Sequence, residues 1–245
     1  MTPFMPLYDK SVVVRHDEFS WPECVVGAAS ALESRPGGPN LDRMRNARAF
    51  AAIALAGLLG ASQASAGALQ TAIFAGGCFW SMQHAMEEVP GVVKVVAGYT
   101  GGHVSRPTYA DVTTETTGHY ESVLVTFDAA RIGYADLVGR YFRRTDPTDG
   151  RGQLCDQGPS YRPAIFVANP AQRAAAEQVR AKVGAELKRP IATAILPAQA
   201  FWPAEGYHQD YARKNPAQYG AYARGCMGFA GGREAALAAV WRDRG

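Results

Sequence analysis

LQTAIFAGGCFWSMQHAMEEVPGVVKVVAGY, residues 69–99, decides the fold. Leu69 to Gly77 is an apolar run that predicts a buried strand ending in a Gly-Gly turn. Cys78 to Glu88 then predicts a helix, closed by Val89-Pro90-Gly91. Val92 to Tyr99 is rich in β-branched residues and predicts a second strand. Outward from this strand–helix–strand unit, Glu121 to Phe127 alternates, with Glu121, Val123, Val125 and Phe127 sharing one face. Tyr134 to Arg144 reads as an amphipathic helix, Arg162 to Ala168 as a strand, and Pro170 to Lys188 as a helix with Pro at its start. Ile191 to Ala198 predicts another strand. Ala204 to Lys214 predicts a short helix that stops near Asn215-Pro216, followed by Gly-rich coil and a last short helix. Thr100 to Thr117, rich in Gly, Pro and Thr, reads as a long loop of the kind that carries function. Alternating strands and helices predict an α+β domain with a mixed sheet, helices packed on it, and irregular N- and C-terminal extensions.

With 245 residues, 47% of them hydrophobic and 19% charged, the chain is long enough for one sizeable core. A formal net charge of +3, with no basic run interleaved with aromatics, gives no footprint for nucleic acid. The N-terminal third differs from the rest. Met44 to Arg48 is basic, Ala49 to Gly60 is apolar, and Ala64-Ser65-Ala66 supplies small residues before Gly67, the order of a secretory signal peptide. The apolar run is too short for a stable bilayer span, which takes about 20 residues; a buried Ala-rich helix is the bland alternative. These features predict a signal peptide over 44–66, one folded domain over 67–245, and a periplasmic or secreted location. Residues 1–43, upstream of the signal, are expected to be a non-native or disordered extension, with translation beginning at Met44.

After Ala66 the cysteines are Cys78, Cys155 and Cys226. An odd number in an exported chain leaves at least one thiol free or cycling. No pair has C-x-x-C spacing, so no structural metal is expected. Cys78 falls at a strand-to-helix junction, where N–H groups and the helix dipole favour a thiolate and lower the thiol pKa; a small buried core residue fits the position equally well. Glu121 lies on the apolar face near a strand's start, where burial raises a carboxyl pKa and keeps an acid protonated, unless the strand end turns it to solvent. Tyr109 and Tyr161 sit in loops and can donate hydrogen bonds or simply pack. Phe79 and Trp80 can wall an apolar slot or belong to the helix core. His208 can serve Cys78 as a base or be a satisfied structural histidine, and His119 is similar.

Taken together, six motifs resemble the A-type peptide-methionine sulfoxide reductases. They are Gly77-Cys78-Phe79-Trp80, Gly98-Tyr99-Thr100-Gly101-Gly102, Pro107-Thr108-Tyr109, Thr117-Gly118-His119-Tyr120-Glu121, Cys155-Asp156-Gln157-Gly158-Pro159-Ser160-Tyr161-Arg162, and Tyr207-His208-Gln209-Asp210-Tyr211 with Lys214-Asn215-Pro216. The likeness spans roughly residues 70 to 227. It implies a two-layer α+β sandwich with a ferredoxin-like core, and reduction of methionine-S-sulfoxide in proteins and in the free amino acid. It implies that Cys78 attacks the sulfoxide sulfur, that Glu121 protonates its oxygen with Tyr109 and Tyr161 as hydrogen-bond donors, that Phe79 and Trp80 hold the substrate methyl group, and that Asp156 contacts the substrate backbone. His208 joins these as a substrate-binding residue. The attack leaves a sulfenic acid that a second thiol converts to a disulfide, opened in turn by a thioredoxin-like reductant. No cofactor, metal or nucleic acid is implied, and the enzyme is expected to be a monomer acting on oxidised proteins and peptides.

The chain departs from the family where Gly220 follows Tyr219, the place at which many relatives carry a recycling cysteine. Cys226, six residues further on, is the expected resolving thiol in a Cys78–Cys226 bridge; Cys155, whose setting reads as fixed and structural, is the second candidate, and direct reduction of the sulfenic acid by a partner is the third. Two rival readings remain open at this level. One is a Cys–His hydrolase or acyltransferase using Cys78 and His208, and the other a non-catalytic binder of oxidised-Met peptides.

Overall fold

Strand β1 (Leu69–Ala75), helix α1 (Phe79–Glu87) and strand β2 (Val92–Thr100) realise the strand–helix–strand unit. The structure, a computed structural model, describes residues 68–226 and 232–242; the expected signal peptide and the preceding 43 residues lie outside them. Beyond β2 the chain forms α2 (Tyr109–Val112), β3 (Tyr120–Asp128), α3 (Tyr134–Arg143), a two-residue hairpin of β4 (Gly152–Gln153) and β5 (Asp156–Gln157), and a 3-10 turn over Pro159–Tyr161. Then come β6 (Ala164–Val167), α4 (Pro170–Leu187), β7 (Ala194–Pro197), β8 (Trp202–Pro203), α5 (Tyr211–Lys214), α6 (Pro216–Gly225) and α7 (Gly232–Arg242).

Six strands make one mixed sheet in the order β7-β6-β1-β3-β2-β8, with only the β6–β7 pair parallel. Within it, β6-β1-β3-β2 with α1 and α3 is a ferredoxin-like arrangement, as the resemblance implied. The period-2 pattern separates two faces. Phe74, Val123, Val125, Phe127, Ile165 and Val167 turn to the main core with Met82 and Met86 of α1, Leu137, Tyr141 and Phe142 of α3, and Ala176, Val183 and Leu187 of α4. Ala75, Ala164 and Phe166 form a smaller cluster, against which Ile73, Tyr120 and Leu196 pack.

Antiparallel pairing decides where the site lies. Ala75, the last residue of β1, pairs with Ser122 near the start of β3 and with Ala164 at the start of β6. Tyr99, near the end of β2, pairs with Glu121. One edge of the sheet therefore gathers the segments that follow β1 and β2 and those that precede β3 and β6. The buried Tyr141 hydroxyl of α3 donates to the Ala75 carbonyl at 2.8 Å and fixes the tip of β1 there.

The C-terminal extension is not irregular. Lys214-Asn215-Pro216 ends α5 as expected, but Pro216 also begins α6 in the stretch that reads as coil. Proline suits the first helical turn because its missing N–H would lack an intrahelical partner in any case. The 100–117 loop likewise contains α2, whose cap is a reciprocal pair. The Thr108 hydroxyl accepts from Asp111 N at 3.2 Å, and Asp111 Oδ2 accepts from Thr108 N at 2.8 Å.

Candidate active site

Cys78 sits in the gap between β1 and α1, and the two preceding glycines are required there. A Cβ on Gly76 would lie 2.5 Å from the Met82 methyl and 2.8 Å from Thr145 Cγ2. Gly77 holds φ +77°, the left-handed region, and a Cβ on it would lie 2.6 Å from Gln153 Cβ. Gly77 N donates to Tyr161 O at 3.0 Å, tying this turn to the 3-10 turn. Cys78 caps α1, its carbonyl accepting from Ser81 N at 3.1 Å and Met82 N at 3.2 Å. The side chain is buried, with 8% of the residue exposed. Its thiol pKa is raised, not lowered as the helix terminus alone predicts. Burial is the main cause, followed by the carboxylates of Glu121 and Asp156. Hydrogen bonds from the Trp80 N–H and the Tyr222 hydroxyl oppose them but do not prevail.

Glu121 is buried on the face it shares with Val123, Val125 and Phe127. Its Oε2 accepts from Phe79 N at 3.0 Å, one residue beyond Cys78. Burial pushes its carboxyl pKa up to about 8; the Phe79 N–H pulls it down, and the negative charges of Asp156 and Glu115 push it further up. Near neutral pH the carboxyl is therefore protonated.

Two phenols converge on the same place. Tyr109 is the first residue of α2, and its N–H donates to Glu205 Oε1 at 2.8 Å; Glu205 Oε2 accepts from the Tyr99 hydroxyl at 3.0 Å. Tyr161 ends the 3-10 turn, which Glu115 holds from the loop after α2 by accepting from Ser160 N and Ser160 Oγ, each at 2.8 Å. Burial, and then the charge of Glu121, raise the pKa of both phenols, so both remain neutral donors. Each also feels Cys78 and Asp156.

Trp80 lies in a cluster of aromatic rings. Its ring stacks on Tyr211 at 3.7 Å between centroids and meets the edge of Tyr222 at 6.2 Å. Its indole N–H donates to His208 Nδ1 at 3.0 Å, so the His208 proton resides on Nε2, 3.9 Å from Glu205 Oε2. Burial lowers the His208 pKa to about 4, with Glu205 opposing. His208 is thus a neutral ring that sets the angle of Trp80, packed against Phe79, Tyr109 and Tyr207. It is not placed as a base for Cys78, whose hydrogen bonds come from Trp80 and Tyr222. Phe79 is 1% exposed and belongs to the core, against Tyr99 and His208. His119 is also structural, its Nε2 bonded to Val104 O at 2.8 Å.

The cysteine pairing differs from the expected one. Cys226, which follows α6, is bridged to Cys155 in the turn between β4 and β5, with Cα atoms 5.2 Å apart, and among the described residues Cys78 is the free thiol. The reason is the path of α6. Tyr219 reaches Ser81 Oγ at 3.3 Å, and Tyr222 donates to Asp156 Oδ2 at 2.5 Å. Cys226, one helical turn after Tyr222, is thereby carried to the residue beside Asp156. Cys155, Asp156 and Cys226 place three potential ligand atoms within 4.8 Å of one another, but the disulfide occupies both sulfurs. Sequence reasoning missed Tyr222, Glu115 and Glu205. Tyr222 lies four residues before a cysteine at helical spacing, a signal legible only once α6 is known to be a helix.

Residues 70–233 match the family model described as peptide methionine sulfoxide reductase. The chain is 57% identical over 173 residues to the peptide methionine sulfoxide reductase MsrA 2 of Caulobacter vibrioides, covering 70% of this chain and 85% of that protein. It is 51% identical over 153 residues to MsrA of Streptococcus agalactiae, covering 62% and 90%. Among solved structures, methionine sulfoxide reductase A of Corynebacterium diphtheriae superposes with a TM-score of 0.55 at 34% identity, over 60% of this chain and 76% of that one. Mxr1 from Saccharomyces cerevisiae in its reduced form gives 0.59 at 29% identity, over 61% and 87%.

Proposed function

Because the chain belongs to the A-type peptide methionine sulfoxide reductases and reduces methionine-S-sulfoxide, we propose that a proton held on Glu121 drives its chemistry and that Cys155 and Cys226 clear the product. The observation that carries this reading is the placement of a buried carboxyl, with a pKa of about 8, beside the backbone of the free cysteine. A sulfoxide oxygen leaves only when protonated, and a neutral carboxylic acid flanked by two neutral phenols supplies the proton and the hydrogen bonds. The same proton helps the nucleophile, since neutral Glu121 no longer adds a negative charge against the Cys78 thiolate. The Cys78 sulfur attacks the sulfoxide sulfur, oxygen passes to the cysteine, and methionine leaves a Cys78 sulfenic acid. Trp80 walls the methyl group, and Asp156 holds the substrate backbone where Tyr222 now donates to it.

The Cys226 thiol then attacks the sulfenic sulfur, expelling water and forming a Cys78–Cys226 disulfide. Cys155 attacks Cys226 in that bridge, releasing Cys78 and leaving the Cys155–Cys226 disulfide. The described arrangement, with Cys78 free and the other two bonded, corresponds to the end of this relay. A thioredoxin-like dithiol completes the cycle. A hydrolase would need a free basic nitrogen on His208, and with Nδ1 accepting from Trp80 and the proton on Nε2 neither is free.

The direct test incubates the protein with a methionine-S-sulfoxide peptide and dithiothreitol and follows the thioether product. Turnover is expected from the wild type and none from Cys78→Ser. Turnover surviving in Cys78→Ser would remove Cys78 from the role.

We also propose export to an oxidising compartment, supported by the basic, apolar and small-residue order over 44–66. Edman sequencing of the protein from its native cells is expected to read from Gly67. A chain that retains residues 44–66 and stays in the cytoplasm would reject export.

A further inference from the structure

We propose that the reducing partner, a thioredoxin-like protein with an exposed dithiol, docks on the β4–β5 hairpin and opens the bridge by attacking Sγ of Cys155 and not Cys226. The inference rests on the relay proposed above. It starts from the hairpin's geometry. Gly152 pairs with Gln157 and Gln153 with Asp156, which leaves Leu154-Cys155 as a two-residue turn. Leu154 holds φ +59°, in the left-handed region that bulky residues seldom enter. That turn puts Cys155 at the tip of the hairpin, where it is exposed, while its partner Cys226 is half-buried and Cys78 is buried.

Access then decides the direction of electron flow. A thiolate attacks the disulfide sulfur that it can reach, and accessibility selects between the two. A macromolecular thiolate cannot follow a small molecule into a half-buried position, but it can meet a sulfur at the tip of a hairpin. On the flank of the same hairpin lies a groove of about 710 Å³ lined by Arg151, Leu154, Gln157, Pro159 and Arg162, among others. Leu154 and Pro159 give it apolar contact, and Arg151, with 86% of its side chain exposed, gives it an accessible cation. Apolar contacts mixed with an exposed cation beside a reducible sulfur make a surface suited to a protein reductant.

The exchange balances. The partner's thiolate bonds to Sγ of Cys155 as the Cys155–Cys226 bond breaks, and the electron pair leaves on Cys226, which takes a proton from water. The partner's second thiol then attacks its own sulfur in the mixed disulfide and releases the Cys155 thiolate. The partner is oxidised to its disulfide, and this protein gains two electrons. Cys226, on the segment that carries Tyr222 to the active site, is the thiol freed first.

The experiment first drives the wild-type protein through one turnover without reductant and maps the bridge by mass spectrometry. No Cys155–Cys226 bridge would overturn the relay, and this inference with it. The oxidised protein is then mixed with a thioredoxin whose second active-site cysteine is Ser, quenched in acid and mapped. A mixed disulfide on Cys155 is expected; one on Cys226 would overturn this inference alone. Leu154→Asn, a residue type at ease with positive φ, combined with Arg151→Glu, is expected to slow reduction of the bridge by thioredoxin about tenfold, the size of one lost interface anchor. Reduction of the same bridge by dithiothreitol should keep its wild-type rate. Equal slowing with both reductants, or slowing with neither, would reject the docking surface.

Discussion

Glu121→Gln is expected to lower kcat/KM for a methionine-S-sulfoxide peptide by about 10²- to 10⁴-fold, the range that general acids contribute. Gln keeps an oxygen for the Phe79 N–H, so the local backbone has its partner and the loss is chemical. The pH profile should identify the cause. Wild-type activity is expected to fall as pH rises through about 8, where the buried carboxyl loses its proton, and the variant should lack that limb. Stability moves the other way. The folded carboxyl pKa lies above the ordinary value of 4.5, so between 4.5 and about 8 the folded state binds the proton that the unfolded chain has lost. Wild-type stability must then fall as pH rises across that window. Gln has no such titration, and denaturant melts above about pH 8 should find the variant more stable by a few kcal/mol, on the order of 1.4 kcal/mol for each pKa unit. A variant that keeps wild-type activity, or a wild-type profile flat through pH 8, would refute the acid role.

Cys226→Ser should leave the first turnover intact and stop the cycle after it. Methionine is expected in a single burst equal to the Cys78 present. Thioredoxin-supported steady turnover is expected to fall about a hundredfold or more, because an external thiol lacks the effective concentration of a tethered one. A sulfenic-acid probe should label Cys78 in this variant. Cys155→Ser should instead accumulate a Cys78–Cys226 bridge that mass spectrometry can map. If Cys226→Ser accumulates a Cys78–Cys155 bridge instead, the two recycling cysteines act in the opposite order.

Much of the scaffold was legible because long elements repeat their signal. β1, α1 and β2 carry enough apolar and β-branched residues to be placed within a residue or two, and Pro170 marks the first turn of α4. Alternation along β3 put Glu121 on the buried face without any knowledge of its neighbours. The β4–β5 hairpin and β8 were not legible, since a two-residue strand is shorter than one full alternation. α6 was misread because Gly220 and Gly225 suggest coil, whereas packing on α1 through Tyr219 and on Asp156 through Tyr222 holds it as a helix.

The sequence by itself determined the order of the core strands and helices, the Gly-Gly turn before a cysteine, and the strand face that the Glu121 carboxyl shares with Val123, Val125 and Phe127. These follow from local periodicity and from backbone geometry that only glycine tolerates. Tertiary structure alone decided the partner of Cys226, the ionisation of Cys78 and the engagement of His208. Cys155 and Cys226 are 71 residues apart, and a helix path brings them together. The Cys78 pKa is a balance between burial and carboxylates on one side and two hydrogen bonds on the other. A contact between distant segments leaves no trace in local pattern, and the sign of an electrostatic balance depends on distances that exist only after the chain has folded.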